Sequence, residues 1–289
     1  MRRFADMIHS EKFHQLISSA LFEDIGDGDH STLSCINKNA KGKAILKIKQ
    51  DCVLAGLKAA EKIFEIADST STFILHKNDG ENVSNGELAF EVIAPIHTIL
   101  KCERLVLNTM QRMSGIATLT KQYSNKLLNY KSKLLDTRKT TPNFRLLEKE
   151  AVRIGGGNNH RFGLYDMIML KDNHIDYCGS IEKAIQMAYD YVQTSKPGLK
   201  IEVETRSVED VKRVVAIGLV DRIMLDNFSP DQIIESLNEI KGRFETEASG
   251  GITIENIELF AATGVDYISC GAIIHQAKSI DLSLKAVIL

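Results

Sequence analysis

The sequence predicts an α/β protein whose carboxyl-terminal part is a smaller or open parallel barrel. From residue 133 onward, short apolar runs alternate with helix-like stretches such as Ile181–Val192, Val208–Ile217, Pro230–Ile240 and Ile254–Ala262. The runs are Lys133–Asp136, Met167–Leu170, Lys200–Glu204, Arg222–Leu225, Phe244–Ala248 and Tyr267–Cys270. A repeated strand–helix–strand order is typical of parallel βαβ units. These six units fall short of the eight strands of a closed barrel, so we expect a smaller or open one.

The residues before about 115 have a different pattern, which indicates an α+β domain with a mixed sheet. Helical spacing of apolar residues predicts helices over Glu11–Leu21 and Leu57–Ala67. Strands are expected at Lys43–Gln50, Thr72–His76 and Glu87–Ile93. A long helix is expected from His97 to about Leu128, broken or bent near Ser114 and Gly115.

Composition excludes several classes of protein. The 289 residues carry 36 Lys+Arg against 38 Asp+Glu, and this balance argues against a general nucleic-acid binder. No apolar run approaches the ~20 residues that span a bilayer, and Met1 to Ser10 has no apolar core of a secretory signal. The five cysteines are scattered without a CxxC pair, which favours a reducing cytoplasm: Cys35, Cys52, Cys102, Cys178 and Cys270.

Polar residues and glycines follow every predicted strand of the barrel. The strands end in Asp136-Thr-Arg138-Lys139, Lys171-Asp-Asn-His174, Glu202-Val-Glu204, Asp226-Asn227, Ser249-Gly250-Gly251 and Cys270-Gly271-Ala272. Active sites of α/β barrels form at the carboxyl ends of their strands. We therefore expect these groups to lie at one face of the barrel and to form its active site.

The local charge indicates a polyanionic small molecule. Residues 131–171 contain nine Lys+Arg against four Asp+Glu. Lys131, Lys133 and Lys149 fit a solvated helix face, whereas Arg138-Lys139 and His160-Arg161 lie at a strand end and beside a glycine-rich loop. An enclosed dianion needs several paired cations, and arginine can hold a carboxylate with two hydrogen bonds.

The last strand ends suggest a phosphate beside an acidic site. Backbone N–H groups of Ser249-Gly250-Gly251 and Gly271-Ala272 can hold a phosphate. Glu204 and Asp226 between them suit Mg²⁺ or sugar hydroxyl groups. Of the two glutamates in the EVE segment, Glu204 is the one that we expect to face inward, with Glu202 facing outward.

The motifs resemble those of the quinolinate phosphoribosyltransferase family, the carboxylating nicotinate-nucleotide pyrophosphorylases. They are EDIGDGDHST (23–32), CERLVLNTMQRMSGIAT (102–118), DTRKTTP (136–142), RIGGGNNHR (153–161), MLKDNHI (169–175), EVE (202–204), MLDNF (224–228), ASGGI (248–252) and GVDYISCGA (264–272). The matches follow the family's order over nearly the whole chain. The resemblance implies an amino-terminal α/β sandwich domain of residues 1–115, joined by residues 276–289. It also implies an incomplete, six- or seven-stranded parallel α/β barrel of residues 116–275.

The resemblance also implies a reaction and a set of site residues. Quinolinate and phosphoribosyl pyrophosphate would give nicotinate mononucleotide, pyrophosphate and CO₂, with Mg²⁺, in cytoplasmic NAD biosynthesis. Quinolinate would be bound by Arg138, His160, Arg161 and Lys171, together with Arg104 from the neighbouring subunit of a homodimer or larger homo-oligomer. Phosphoribosyl pyrophosphate would be bound by Lys139, Glu204, Asp226, Ser249, Gly250, Gly251, Gly271 and Ala272, with Glu204 and Asp226 as possible Mg²⁺ contacts.

Four alternatives remain open at the level of sequence. The first is a Schiff-base lyase that uses Lys139 or Lys171 as its nucleophile. The second is a paralogue with altered phosphoribosyl chemistry, such as the molybdenum-associated homologues, which the intact His160-Arg161 pair disfavours. A non-catalytic binding protein and a nicotinate phosphoribosyltransferase are the others. Neither a nucleic acid nor a membrane is expected as a partner.

Overall fold

The computed structural model describes residue 8 and residues 10–287. The predicted lack of a signal segment at Met1 to Ser10 therefore lies mostly outside the described residues. No helix in the described part of the chain combines the length and the apolar character needed to cross a membrane. The chain divides into two compact units, one of Met1–Lys121, Thr140–Gly156 and Gln276–Leu289, the other of Gln122–Lys139 and Gly157–His275. The predicted boundary at residue 115 itself stays a prediction.

The described elements alternate along the chain. The helices are α1 (Glu11–Ile25), α2 (His30–Cys35), α3 (Leu57–Ala67), α4 (Ile96–Lys126), α5 (Arg145–Ile154), α6 (Asp172–Cys178), α7 (Ile181–Ser195), α8 (Val208–Ile217), α9 (Pro230–Ile240), α10 (Ile257–Ala262) and α11 (Ala272–His275). The strands are β1 (Lys41–Ile48), β2 (Cys52–Val53), β3 (Thr72–Leu75), β4 (Asn82–Val83), β5 (Leu88–Pro95), β6 (Lys133–Leu135), β7 (Ile168–Leu170), β8 (Ile201–Thr205), β9 (Arg222–Asp226), β10 (Glu245–Ser249), β11 (Tyr267–Ser269) and β12 (Leu282–Val287).

The first unit contains a four-stranded sheet in the order β12-β1-β5-β3. Neighbouring strands are all antiparallel, so the expectation of a mixed sheet is wrong. A parallel pair needs a long crossover, usually a helix, whereas only the short strand β4 separates β3 from β5. Strand β12 returns to pair with β1, with Leu284 opposite Leu46.

Helix α4 runs unbroken through Ser114 and Gly115, so a break there is wrong, whereas a bend stays a prediction. Gly115 instead permits a close approach within the first unit. A Cβ atom on Gly115 would lie 2.0 Å from the carbonyl oxygen of Lys278. The glycine therefore reflects packing against a distant part of the chain.

Helix α5 is enclosed more completely than its charged sequence suggests. Residues 147–152 are all buried, and Lys149 is only 2% exposed. The interpretation of Lys149 as part of a solvated face is wrong, because residues 147–152 are buried without a break.

The second unit is an open parallel barrel. Its six strands follow the order β6-β11-β10-β9-β8-β7, and each neighbouring pair is parallel. A single bridge adds Asn158 beside Leu135 at the β6 edge. The prediction of an incomplete barrel is confirmed, and the six predicted strands agree with the observed ones within about two residues.

One face of the barrel strands is polar where a closed barrel usually has branched apolar residues. Glu202 is fully buried and Glu204 is 7% exposed, so the expectation that Glu202 faces outward is wrong. Side chains two positions apart on a strand point to the same face, and Val203 is therefore the residue on the opposite side. Glu202 lies one layer deeper in the barrel than Glu204.

Candidate active site

An ion pair and a second carboxylate meet where β7, β8 and β9 end. Lys171 Nζ lies 2.7 Å from Glu204 Oε2, and the Asp172 N–H donates to Glu204 Oε1 at 3.4 Å. Burial and then the charge of Glu204 raise the pKa of Asp226, whereas the Ser249 hydroxyl and Lys171 act in the opposite direction. These groups come from adjacent strands, as the sequence predicts.

The turn after β10 packs tightly on one side and is open on the other. The Asn227 N–H donates to the Ser249 carbonyl at 2.7 Å. Gly250 has a φ of 94°, and a Cβ atom there would lie 2.2 Å from Asn227 Oδ1. Gly251 has a φ of 63°, and a Cβ atom on it would meet no atom within 4 Å. A ligand can thus reach the backbone at Gly251.

The turn after β11 contains the second glycine site. A Cβ atom on Gly271 would lie 3.0 Å from Lys139 Cδ, so the Lys139 side chain crosses this turn. Ala272 opens the short helix α11. The neighbouring Cys270 is 3% exposed, and burial raises the pKa of its thiol, which makes it a poor nucleophile.

Two arginines lie close enough to repel each other. Arg161 is half-buried and donates from Nη1 to the Met167 carbonyl at 3.1 Å. Burial, followed by the positive charge of Arg138, lowers the pKa of Arg161. Arg138 itself is exposed. An anion bound between the two guanidinium groups would remove this repulsion.

His160 lies in a buried ionic cluster, which we define as His160, Glu202, Glu247 and Arg222. His160 Nε2 is 3.0 Å from Glu202 Oε2 and 3.3 Å from Glu247 Oε2. Arg222 Nη1 is 2.9 Å from the same oxygen of Glu247. All four residues are at most 9% exposed.

The two ring nitrogens of His160 have different partners, which favour different protonation states. Burial disfavours the charged ring, whereas the Glu202 and Glu247 carboxylates favour it and raise the pKa of His160. The backbone N–H of Arg161 donates to Nδ1 at 2.6 Å, which requires a lone pair there and therefore opposes a second ring proton. Burial, followed by Glu247, raises the pKa of Glu202 to about 7. The contacts of the two nitrogens fit a proton on Nε2, which faces the two carboxylates, and a lone pair on Nδ1, which accepts the Arg161 N–H.

The remaining predicted residue, Arg104, lies on α4 in the first unit and is exposed. Its role in a neighbouring subunit stays a prediction, as does each substrate contact assigned above. His174 supports the site indirectly, because its Nδ1 accepts the N–H of Lys171 at 3.0 Å.

Sequence reasoning did not identify Glu247 or Arg222 as members of the site. The signal for both was present, because ETEAS and RIMLD place charged residues in strands of the predicted parallel barrel. Buried parallel strands are usually apolar, so such charges indicate a polar interior. Asn227 is among the polar residues expected after β9, and its side chain lies against the Gly250 turn.

An open parallel barrel with cations, paired carboxylates and glycine turns at the carboxyl ends of its strands defines an enzyme that acts on anionic, phosphate-bearing small molecules. Comparison with known proteins makes this class specific. The model of the quinolinate phosphoribosyl transferase C-terminal domain matches residues 116–285, and that of the N-terminal domain matches residues 29–114. The chain belongs to the quinolinate phosphoribosyl transferase family.

Individual relatives cover nearly the whole chain. A probable nicotinate-nucleotide pyrophosphorylase (carboxylating) of Bacillus subtilis (strain 168) is 43% identical over 270 residues, covering 93% of this chain and 92% of its own. A crystal structure of NadC from Streptococcus pyogenes has a TM-score of 0.88 at 42% identity, with 94% of both chains covered. The nicotinate-nucleotide pyrophosphorylase from Francisella tularensis has a TM-score of 0.88 at 35% identity, with 96% of both chains covered.

Proposed function

We propose that this chain transfers the phosphoribosyl group of phosphoribosyl pyrophosphate to quinolinate with decarboxylation. The products are nicotinate mononucleotide, pyrophosphate and CO₂, and the reaction belongs to de novo NAD biosynthesis. Membership in the family and the names of the relatives support this activity. The observation that carries it is that Lys171, Glu204 and Asp226 meet at the ends of adjacent strands beside an open glycine turn.

Quinolinate has two carboxylates and needs several cations. Arg138, Arg161 and Lys171 supply them, and the proximity of Arg138 to Arg161 means that a dianion relieves a repulsion present without it. His160 supports Arg161 through the backbone contact described above. Nicotinate has one carboxylate and would leave part of this positive charge unneutralised, which favours quinolinate as the substrate.

Phosphoribosyl pyrophosphate occupies the other half of the site. Ser249, Gly250, Gly251, Gly271 and Ala272 bind the 5′-phosphate through backbone N–H groups. Lys139 crosses the Gly271 turn and binds the pyrophosphate. Glu204 and Asp226 accept hydrogen bonds from the ribose hydroxyls.

The facing carboxylates also fit a divalent cation. Burial and then the charge of Glu204 raise the pKa of Asp226. The second effect indicates that the two negative charges repel, so a cation between them would be stabilised. Carboxylate oxygens are ligands that Mg²⁺ accepts. Mg²⁺ bound there would neutralise charge on the pyrophosphate leaving group.

The protein residues contribute orientation and electrostatics. The arginines hold the pyridine ring so that its nitrogen faces the ribose carbon in line with the leaving group, which replaces a bimolecular encounter by a positioned attack. Positive charge develops on the ribose as pyrophosphate departs, and Glu204 and Asp226 stabilise it. The pyridinium that forms stabilises the electron pair left on ring carbon 2 when the 2-carboxylate departs as CO₂. A proton from solvent then bonds to that carbon and completes nicotinate mononucleotide. No enzyme nucleophile is needed.

The assembly and compartment form part of the same proposal. Arg104 of a neighbouring subunit completes the quinolinate site in a homodimer or larger homo-oligomer. The enzyme acts in the cytoplasm, where the five scattered cysteines remain thiols.

The Schiff-base alternative fits the site less well. An amine nucleophile must be free to attack a carbonyl, but Lys171 Nζ is held 2.7 Å from Glu204 Oε2. Lys139 is exposed and crosses a glycine turn that suits a phosphate.

The test is product formation from quinolinate and phosphoribosyl pyrophosphate with Mg²⁺, with nicotinate in a parallel reaction. We expect nicotinate mononucleotide and CO₂ from quinolinate and no turnover of nicotinate. Binding of both substrates without any product would indicate a diverged paralogue. Borohydride trapping of a carbonyl substrate on a lysine would support the lyase instead.

A further inference from the structure

Burying the ionic cluster costs free energy, because its charged side chains lose their contacts with water. Four ionisable side chains lie in the barrel interior, with Glu202 and Glu247 fully buried. Apolar residues of similar size would stabilise the barrel as well or better. The cluster therefore suits a role that apolar packing does not provide, namely holding a polar group in one fixed orientation.

His160 belongs to the segment of residues 158–167, which forms little backbone pairing with the sheet. Asn158 makes one isolated bridge at the β6 edge, where its N–H donates to the Leu134 carbonyl at 2.8 Å. Within the described part of the barrel, no strand assignment covers residues 159–167. The Asp136 side chain accepts the His160 N–H at 2.8 Å, which anchors the backbone at one point.

The His160 ring supplies the second anchor. Nε2 faces Glu202 of β8 and Glu247 of β10, two strands that are separated by β9. On its other edge, Nδ1 accepts the Arg161 N–H at 2.6 Å. The His160 ring therefore links the Arg161 peptide group to β8 and β10. The Arg161 peptide is not paired with either strand in the sheet.

We propose that Glu202 and Glu247 are positioning residues, which fix the Arg161 peptide through the His160 ring and thereby set the place from which Arg161 binds a carboxylate of the substrate. The inference rests on the proposed function, because it takes quinolinate as the ligand of Arg161. It adds two residues, neither of which touches substrate, to the machinery of that site.

A metal centre is the competing explanation for the same side chains. Donor atoms of His160, Glu202 and Glu247 all lie within 4.8 Å of one another. However, Arg222 Nη1 already donates to Glu247 Oε2 at 2.9 Å, and a buried guanidinium at this position repels a second cation. Arg222 thus already supplies positive charge to these carboxylates.

The experiment compares Glu202→Gln and Glu247→Gln with Glu245→Gln. Glutamine keeps the shape and one acceptor oxygen but removes the charge. Glu245 is the matched control, since it lies on the same strand as Glu247 and contacts Arg222 Nη2 at 3.1 Å but not His160. For each protein, KM for quinolinate, KM for phosphoribosyl pyrophosphate, kcat and the melting temperature are measured.

We expect KM for quinolinate to rise about tenfold in Glu202→Gln and Glu247→Gln, the effect of losing one charged hydrogen bond. KM for phosphoribosyl pyrophosphate should change less than about twofold, and Glu245→Gln should resemble the wild type. Equal changes in both KM values, or a lower melting temperature with unchanged KM values, would overturn the proposal. A wild-type protein that makes no nicotinate mononucleotide would instead refute the proposed function, so the two failures can be told apart.

A measurement on the wild type covers the case in which the variants do not fold. Nitrogen-15 NMR of the histidine rings, with the His160 signals assigned by their loss in His160→Gln, reports which ring nitrogens carry protons. We expect a protonated Nε2 and an unprotonated Nδ1 at neutral pH. A protonated Nδ1 would exclude the contact with the Arg161 N–H, and a stoichiometric metal ion in the purified protein would favour the metal centre; either result overturns the proposal.

Discussion

The Lys171 ammonium group lies 2.7 Å from Glu204 Oε2, with 45% of the lysine side chain exposed and only 8% of the glutamate. Lys171 is therefore one of the proposed cations of the dicarboxylate site and also the partner of one of the two carboxylates that suit Mg²⁺. One residue affects both halves of the site, with opposite signs.

Lys171→Met should weaken quinolinate binding and strengthen Mg²⁺ binding. Loss of a cation should raise the dissociation constant of quinolinate about tenfold. The same change leaves the charges of Glu204 and Asp226 less neutralised, and the dissociation constant of Mg²⁺ should fall about fivefold. Calorimetric titrations with each ligand alone measure both effects.

Lys131→Met is the control for this prediction. Lys131 pairs with Asp266 at 3.1 Å and has an exposed side chain that takes no part in the site. Neither dissociation constant should change in this variant. Weaker Mg²⁺ binding in Lys171→Met would contradict the electrostatic relationship between the two halves.

Arg161→Ala should abolish turnover of quinolinate while the protein stays folded. The half-buried guanidinium is the most enclosed of the predicted arginines, and losing a charged partner of a carboxylate at such a site should reduce kcat/KM by at least ~100-fold. Circular dichroism melting checks the fold. Arg206→Ala is the matched control, because Arg206 forms a two-bond pair with Asp176 on the exposed surface and should retain full activity. Activity retained in Arg161→Ala would refute the assigned dicarboxylate site.

Gly250→Ala should raise KM for phosphoribosyl pyrophosphate. The added Cβ would lie 2.2 Å from Asn227 Oδ1, so the turn that bears the proposed phosphate contacts must shift. We expect an increase of at least ~10-fold, since each contact of the phosphate with a displaced N–H weakens. Kinetics at saturating quinolinate measure it.

Gly264→Ala separates backbone strain from damage to the site. Gly264 also has a positive φ, 85°, but a Cβ there would approach nothing closer than Lys131 Cε at 3.7 Å. This variant should lose about 1 kcal/mol of stability with an unchanged KM. Equal KM values for the two variants would contradict the role of the Gly250 turn.

Local signals explain why so much of the barrel could be predicted. Helices α8 and α9 begin and end at the predicted residues because Ser207 and Ser229 accept hydrogen bonds as N-caps, and Gly218 ends α8 in the left-handed region. The residues at the carboxyl ends of the strands followed from the barrel rule. The residues that determine each helix end or strand end lie within a few positions of it in the sequence.

The features that were missed depend on contacts between distant parts of the chain. Glu247 acquires its role from His160, which reaches it across the barrel. Lys149 is buried because other segments enclose α5, which the charges of that helix do not reveal. The expected break in α4 has the same origin, because the local sequence does not show contacts with distant residues. A glycine in a helical pattern can indicate either a weak point of the helix or a close contact.

Gly115→Ala distinguishes these two meanings of the glycine. In an isolated helix the change should stabilise by about 1 kcal/mol, because alanine is the better helix former. In this protein the added Cβ would lie 2.0 Å from the Lys278 carbonyl oxygen, so either α4 or the segment at residue 278 must move. We expect a net loss of about 2–4 kcal/mol in the free energy of unfolding, measured by denaturant titration. Asn108→Ala, at an exposed position of the same helix, should be neutral or slightly stabilising. A Gly115→Ala protein as stable as the wild type would mean that the close approach is not required and that the glycine is present for another reason.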